Sequence, residues 1–197
     1  MSRIGVLGGT FDPIHLGHLA AAKAAMECAH LDRVLFVPSA QPPHRAAAQA
    51  AAEDRLAMSR LAVDGESHFE VSDIEAKRGG KSFTVDTLEE LHRSFPNDHL
   101  FLILGWDAAR LFRSWHEPDR VSELASIVIV SRGKAQPMPS EIKGLAPERL
   151  IICHVSTPDI SGSELRRSIS AGESAAGKVS PAVERYIAAH HLYGDNR

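Results

Sequence analysis

Short apolar runs alternate with stretches of helical character along the chain. The strand candidates are five apolar runs and one alternating stretch, at 4–7, 34–37, 69–74, 99–104, 127–130 and 150–155. Helical spacing or composition marks the segments between and after them, chiefly 19–30, 46–63, 82–95 and 181–191. Continuous apolar runs are typical of parallel strands buried on both faces, and such strands need helical crossovers. The pattern therefore predicts an α/β fold with a doubly wound, mostly parallel sheet of about six strands, in a single domain spanning 1–197.

The less regular segments are also predicted from composition. A basic, flexible turn is expected at 77–81, and a loop rich in proline and glycine at 136–147. A short helix is expected between Asp107 and Trp115, and another after the turn that begins at Thr157.

Composition limits the classes of protein to which the chain can belong. With 197 residues, 44% hydrophobic and 24% charged, it suits one globular domain better than two. No apolar run approaches 18 residues and no signal peptide precedes the first strand, so we expect a cytoplasmic protein that does not engage a membrane. The two cysteines, Cys28 and Cys153, match no disulfide framework or zinc motif and are expected to be reduced packing residues. The sequence leaves the oligomeric state open, a homo-oligomer included.

The net charge of the chain limits the kinds of molecule that it can bind. The formal net charge of −3 argues against broad nucleic-acid binding. An anionic substrate would therefore have to be held by a local cluster of positive charge.

A glycine-rich turn follows the first predicted strand, over residues 8–18. Gly8 and Gly9 let backbone N–H groups approach an anion, and a helix beginning beyond them would add unpaired donors and the positive end of its dipole. Asp12 is the predicted N-cap of that helix and Pro13 its first residue. The turn is therefore a candidate phosphate site.

Two histidines lie at the end of this turn. His15 and His18 are three residues apart and would share one face of the helix, where imidazoles could donate hydrogen bonds to oxygens that gain charge during phosphoryl or nucleotidyl transfer. The alternative is that one or both only cap the helix or fill the seam between strand and helix. The turn lacks the lysine of a Walker A loop and does not match G-x-G-x-x-G, which weakens the usual NTPase and dinucleotide-oxidoreductase interpretations.

Charged and hydroxyl side chains follow several other predicted strands. Open α/β sheets bind ligands at the edge where the carboxyl ends of their parallel strands meet. The candidates at this edge are His44, Arg45, Asp107, Arg132, Ser161, Ser163 and Arg166. Structural alternatives stay open for most of them: an exposed basic loop at 44–45, a helix cap at 107, and a serine capping box with two solvated arginines at 161–167. Trp115 is either a core residue or a stacking surface for a flat heteroaromatic ring.

Several of these stretches carry a resemblance to a known family. Residues 9–18 match the nucleotidyltransferase signature G-x-F-D-P-x-H-x-G-H. Further matches are P-P-H-R at 42–45, S-F-T-x-D-T-L at 82–88, G-W-D at 105–107, W-H at 115–116 and I-S-G-S-E-L-R at 160–166. Together these motifs resemble those of the bacterial nicotinate-nucleotide adenylyltransferases. The resemblance spans nearly the whole chain. The resemblance implies a Rossmann-like nucleotidyltransferase fold.

The resemblance also implies a reaction and a set of roles. The reaction would be transfer of the adenylyl group of ATP to nicotinate mononucleotide, giving deamido-NAD and pyrophosphate without a covalent intermediate, with Mg²⁺ carried mainly by phosphates and water. The implied catalytic residues are His15, His18 and Arg166. The implied ATP-binding residues are Gly8, Gly9, Thr10, Phe11, Ser161, Ser163 and Arg166, and the implied residues for the second substrate are His44, Arg45, Thr84, Asp107, Trp115 and Arg132. The alternatives are a different phosphate acceptor, such as nicotinamide mononucleotide, and a nucleotide-binding regulator without activity.

Overall fold

A parallel sheet forms the centre of the molecule. The computed structural model describes residues 1–42, 48–132, 147–155 and 157–194. In this part of the chain one sheet has six strands, all paired in parallel, in the order β3-β2-β1-β4-β5-β6. The strands are β1 (Arg3–Gly9), β2 (Arg33–Pro38), β3 (Phe69–Val71), β4 (His99–Gly105), β5 (Ser126–Arg132) and β6 (Leu150–Val155). The predicted doubly wound α/β class is confirmed.

The order of the strands fixes where a ligand can enter. β1 pairs with β2 on one side, with Gly5 opposite Val34, and with β4 on the other, with Ile4 opposite Leu100. The chain winds outward from β1 in both directions, so the connections on either side leave a crevice beyond the carboxyl ends of β1 and β4. The glycine-rich turn follows β1 directly and therefore lies in this crevice.

Helices cover both faces of the sheet. They are α1 (Leu16–Cys28), α2 (Ala52–Val63), α3 (Ile74–Arg78), α4 (Thr84–Ser94), α5 (Trp106–Arg110), α6 (Pro118–Leu124), α7 (Gly162–Ser170) and α8 (Pro181–Ala189). One core contains Phe36 and Met58 with residues of α1, α2 and α8, and the second contains Leu35 and Leu88 with residues of α4, α5 and α6. Neighbouring residues of β2 thus point into opposite cores, as the pleat requires. None of the described helices combines the length and apolarity needed to cross a bilayer.

The first helix begins later than predicted. Its N-cap is His15 and its first residue is Leu16, so the assignment of Asp12 as N-cap and Pro13 as first helical residue is wrong. The side chain of Asp12 instead accepts hydrogen bonds from the backbone N–H groups of Gln49 and Ala50, at 2.9 and 3.1 Å. α2 starts at Ala52, later than the predicted residue 46, and residues 48–51 before it are not helical. The backbone N–H groups of Gln49 and Ala50, just before α2, donate to the side chain of Asp12 and not to carbonyl oxygens of a preceding helical turn.

Two other boundaries differ from the sequence prediction. The strand expected at 69–74 ends at Val71, and α3 occupies the start of the expected flexible turn at 77–81. The helix expected up to Trp115 ends at Arg110 and is followed by a 3₁₀ turn, Phe112–Ser114. The expected loop at 136–147 falls almost entirely outside the described residues.

A buried arginine on α2 holds the loops at the edge of the crevice. Arg55 is only 2% exposed, and its guanidinium donates to the carbonyl oxygens of Thr10 and Ser39, each at 2.7 Å. It also donates to Ala40 at 3.1 Å and Ala50 at 3.3 Å. Burial lowers the pKa of Arg55, and the nearby carboxylate of Asp12 opposes that shift. The loops after β1 and β2 are thus fixed to each other through a single side chain.

The two cysteines form a disulfide. Cys28, the last residue of α1, is joined to Cys153 of β6, with their Cα atoms 6.0 Å apart. The expectation of two reduced packing residues is wrong. The residues lie 125 positions apart in sequence, so neither local pattern indicates that the end of α1 packs beside β6.

Reduction of this disulfide should lower the free energy of unfolding by about 2–4 kcal/mol, because the cross-link restricts the unfolded chain. Urea unfolding of the parent protein with and without a phosphine reductant measures the difference. The double variant Cys28→Ser/Cys153→Ala is the control and should unfold at the same urea concentration under both conditions. Coincident midpoints for the parent protein would contradict the disulfide.

Replacement of Arg55 by methionine should lower the free energy of unfolding by about 2–5 kcal/mol, since buried carbonyl groups lose their donors. Arg60→Met is a matched control on the same helix. Arg60 is half-exposed and pairs with Asp73 at 3.2 Å, so its loss should cost about 1 kcal/mol or less. Thermal or urea unfolding measures the loss of stability in the two variants. Equal losses for Arg55→Met and Arg60→Met would refute the role of Arg55.

Candidate active site

Gly8, near the end of β1, has open space where a side chain would lie. Gly8 is exposed, and a Cβ atom added there would meet no atom within 4 Å. At Gly9 the same atom would lie 2.8 Å from the ring of Phe11, so a side chain is excluded. The Phe11 ring itself is buried in the core, with 2% of the residue exposed. Of the proposed ATP-binding residues in this turn, Phe11 can therefore offer a ligand little more than its backbone.

The two histidines lie against each other at the start of α1. The rings of His15 and His18 are stacked with their centroids 3.6 Å apart, which confirms the predicted shared face. Nδ1 of His18 accepts a hydrogen bond from the backbone N–H of His15 at 3.2 Å. A neutral His18 therefore carries its proton on Nε2. The capping alternative holds in part, because the side chains of both histidines take part in the capping of α1.

Arg166 of α7 reaches the same turn. Its Nη1 donates to the carbonyl oxygen of Asp12 at 2.7 Å and lies 3.7 Å from Oδ2 of the Asp12 carboxylate. The segment before α7 also packs on the start of α1, since a Cβ at Gly17 would lie 3.3 Å from the carbonyl oxygen of Pro158. Arg166 and the histidines are therefore brought to one place, from opposite ends of the chain.

The alternative interpretation of residues 161–167, a serine capping box with two solvated arginines, holds in part. Ser161 is the N-cap of α7, and its Oγ accepts from the backbone N–H of Glu164 at 3.5 Å. Arg167 is exposed beside Glu164, as a solvated arginine would be. Arg166 departs from this interpretation, because its side chain is only 24% exposed and is bonded to the turn.

Asp12 organises this part of the molecule, and the sequence analysis missed that role. The residue is 7% exposed. Besides the N–H groups of Gln49 and Ala50, it accepts a hydrogen bond at Oδ1 from the hydroxyl of Tyr193, at 2.8 Å. Burial, together with the neighbouring carboxylate, raises the pKa of Tyr193, so the phenol stays a donor. The position of Asp12 inside the signature was the only sequence signal for such a role.

The residues expected to hold the second substrate come from several other elements. Asp107 is exposed in the first turn of α5, directly after β4, and Thr84 is the first residue of α4. Trp115 is half-buried and packs on Phe112, with ring centroids 5.6 Å apart, so its core interpretation holds at least in part. Arg132 is the last residue of β5. His44 and Arg45 lie outside the described residues.

A buried carboxyl group fixes α4 on this side. Glu75 is 6% exposed, and its Oε1 accepts from the hydroxyl of Thr87 at 2.6 Å, while that hydroxyl accepts from Arg78 at 3.0 Å. Burial raises the pKa of Glu75. Just before α4, Ser82 Oγ accepts from the backbone N–H of Ala40 at 2.9 Å. These bonds join α3, α4 and the loop after β2.

Within 1–42, 48–132, 147–155 and 157–194, no group of three or more His, Cys, Asp or Glu side chains is arranged to hold a metal ion. The carboxylate of Asp12, three residues before His15, already accepts hydrogen bonds from protein donors.

Known proteins share both sequence and fold with this chain. Residues 6–168 match the cytidylyltransferase-like family. The chain is 47% identical to "Probable nicotinate-nucleotide adenylyltransferase" of Thermus thermophilus, over 97% of this chain and 99% of that protein. It is 39% identical to the protein of the same name from Thermomicrobium roseum, over 98% and 92% of the two chains. The solved structure of Plasmodium falciparum nicotinic acid mononucleotide adenylyltransferase complexed with NaAD shares the fold, with a TM-score of 0.82, 98% coverage of both chains and 20% identity.

These findings agree with the motifs at 9–18, 82–88 and 160–166 and with the turn that they build at the edge of the sheet. By overall sequence, the chain belongs to the nicotinate-nucleotide adenylyltransferases of the cytidylyltransferase-like family.

Proposed function

We propose that this protein transfers the adenylyl group of ATP to the 5′-phosphate of nicotinate mononucleotide, a step of NAD biosynthesis. The observation that carries the proposal is the meeting of His15, His18 and Arg166 at the turn after β1 in a chain of this family. An oxygen of the acceptor phosphate attacks the α-phosphorus of ATP, a new P–O bond forms, and the bond to the β-phosphate oxygen breaks. The products are nicotinate adenine dinucleotide and pyrophosphate.

The acceptor phosphate is already a nucleophile at neutral pH, so the protein has to position two polyanions and stabilise charge. The Nε2–H of neutral His18 donates to an oxygen that gains charge on the α-phosphate or on the departing pyrophosphate, and His15 supports it from the stacked position. Arg166 supplies a positive charge that is held at the turn by its bond to the carbonyl oxygen of Asp12. In this proposal the backbone at Gly8 and Gly9 and the hydroxyls of Thr10, Ser161 and Ser163 complete the ATP site.

The second substrate would lie toward α4 and α5. The first N–H groups of α4, beginning at Thr84, suit the carboxylate of the nicotinate ring. Trp115 would flank the ring, and Asp107 would accept from a ribose hydroxyl. His44, Arg45 and Arg132 would add positive charge for the phosphates. The roles of Thr84 and Asp107 are supported by their positions, at the start of α4 and directly after β4.

Mg²⁺ would enter with ATP as part of the substrate, held by phosphate oxygens and water. The side chains fit this arrangement better than a metal site built from protein alone, because Mg²⁺ in nucleotide sites keeps several waters and needs few protein ligands. The use of ATP favours a cytoplasmic location.

The purified protein should form pyrophosphate fastest when ATP is offered with nicotinate mononucleotide. Nicotinamide mononucleotide and phosphopantetheine, offered in parallel reactions, should give lower kcat/KM, because only nicotinate presents a carboxylate to the start of α4. A coupled pyrophosphate assay measures all three. Preference for either of the other acceptors would overturn the assignment of the substrate, and no pyrophosphate with any of the three would favour a regulator.

Replacement of His18 by alanine should lower kcat by roughly 10²–10³-fold, since one donor directed at the transition state typically contributes about 2.7–4 kcal/mol. The variant should still be folded at the assay temperature, because the loss of one helix cap costs about 1 kcal/mol. His92→Ala removes an exposed histidine of α4 and should leave the rate unchanged. A folded His18→Ala protein within threefold of the parent rate would refute the role of His18.

A further inference from the structure

Residues near the carboxyl end of the chain contact the turn after β1 at two points. The backbone N–H of Leu16, the first residue of α1, donates to the carbonyl oxygen of Lys178 at 2.9 Å. The hydroxyl of Tyr193 donates to Oδ1 of Asp12 at 2.8 Å, across 181 positions of sequence. The segment from Lys178 to Tyr193 carries no residue proposed to contact substrate, yet it contacts the turn that carries the histidines.

Tyr193 is built into this position. It is 9% exposed, and it lies beyond α8 with φ at +63°, a left-handed conformation that a tyrosine adopts only when its surroundings enforce it. Its ring belongs to the same core as Phe11 and Ile14, which lie on either side of Asp12 in the turn. The hydroxyl therefore meets the carboxylate from within the core, away from the crevice.

The bonds of Asp12 connect Tyr193 to Arg166. Oδ1 accepts from Tyr193, Oδ2 lies 3.7 Å from Nη1 of Arg166, and that same Nη1 donates to the backbone oxygen of Asp12 at 2.7 Å. The carboxylate thus forms an ion pair with the guanidinium beside the hydrogen bond to the backbone, so its orientation bears on the position of the guanidinium. His15 follows three residues after Asp12 and would be affected through the backbone.

We propose that Tyr193 is a positioning residue for adenylyl transfer: by holding the Asp12 carboxylate from the core side, it sets the position of Arg166 over the phosphates. This inference rests on the proposed function. Tyr193 touches no substrate and moves no proton. Tyr193 acts on the rate of transfer, because Arg166 must lie within hydrogen-bond distance of the phosphate oxygens in the transition state.

The chain offers a matched control for the loss of this hydroxyl. Tyr186 of α8 also donates to an aspartate, reaching Oδ1 of Asp54 at 2.9 Å on α2. Both phenols make one hydrogen bond to a carboxylate from the same end of the chain. Only the Tyr193 bond leads to the turn that holds the histidines.

Tyr193→Phe should lower kcat about tenfold, in line with the loss of a hydrogen bond to a charged group, while KM for ATP changes less than twofold. Tyr186→Phe should keep kcat within twofold of the parent. Steady-state pyrophosphate assays of the two variants and the parent measure this, with thermal unfolding to confirm that each is folded at the assay temperature. A Tyr193→Phe rate within twofold of the parent, or an equal loss in Tyr186→Phe, would overturn the inference.

A second measurement separates positioning from general support of the fold. In an Arg166→Lys background, Tyr193→Phe should cost less than threefold, because the group that it positions has been replaced. A further tenfold loss in that background would show that Tyr193 acts independently of Arg166 and would contradict the proposal. The parent enzyme is assayed in the same series, so absence of transfer in the parent would count against the proposed function, whereas an active parent with an unaffected Tyr193→Phe would count against this inference alone.

Discussion

Two buried charges of opposite sign, Arg55 and Asp12, satisfy the backbone groups of the loops around the crevice. Loops that leave the carboxyl ends of parallel strands have no ladder partners there, and buried backbone groups without partners are costly. Arg55 supplies donors to four carbonyl oxygens, and Asp12 supplies acceptors to two N–H groups just before α2. The two side chains together allow irregular backbone to hold a fixed shape at the edge of the sheet, which the proposed site needs.

Several groups that build the turn are buried and are distinct from those proposed to face substrate. Arg55, Asp12 and Tyr193 are buried, whereas Gly8 is exposed and His18 half-buried. One charge proposed to meet the phosphates is that of Arg166, which approaches from α7, far along the chain from the histidines. This division lets a protein with a formal charge of −3 concentrate positive charge where two polyanions are to meet.

Local patterns predicted the class of fold and the centre of the candidate site. Five apolar runs and one alternating stretch located the six strands of the described chain, and the spacing of His15 and His18 predicted their shared face. The features that local patterns missed depend on partners distant in sequence. The bond from Tyr193 to Asp12 joins residues 181 positions apart, and nothing around residue 55 indicates that its side chain turns inward toward loop carbonyls. The N-cap was misassigned for the same reason, since Asp12 is used by groups at 49–50 and not by its own helix.

The bond between Cys28 and Cys153 makes a closed ring of the chain between those residues. That ring includes β2, β3, β4 and β5 entirely, while β1 and the histidine turn lie outside it on one side and α7 and α8 on the other. The peptide backbone could be cut once anywhere within the ring and the molecule would still be a single covalent piece. The histidines and Arg166, carried by the two arms that leave the ring, would then stay tethered to each other even after such a cut.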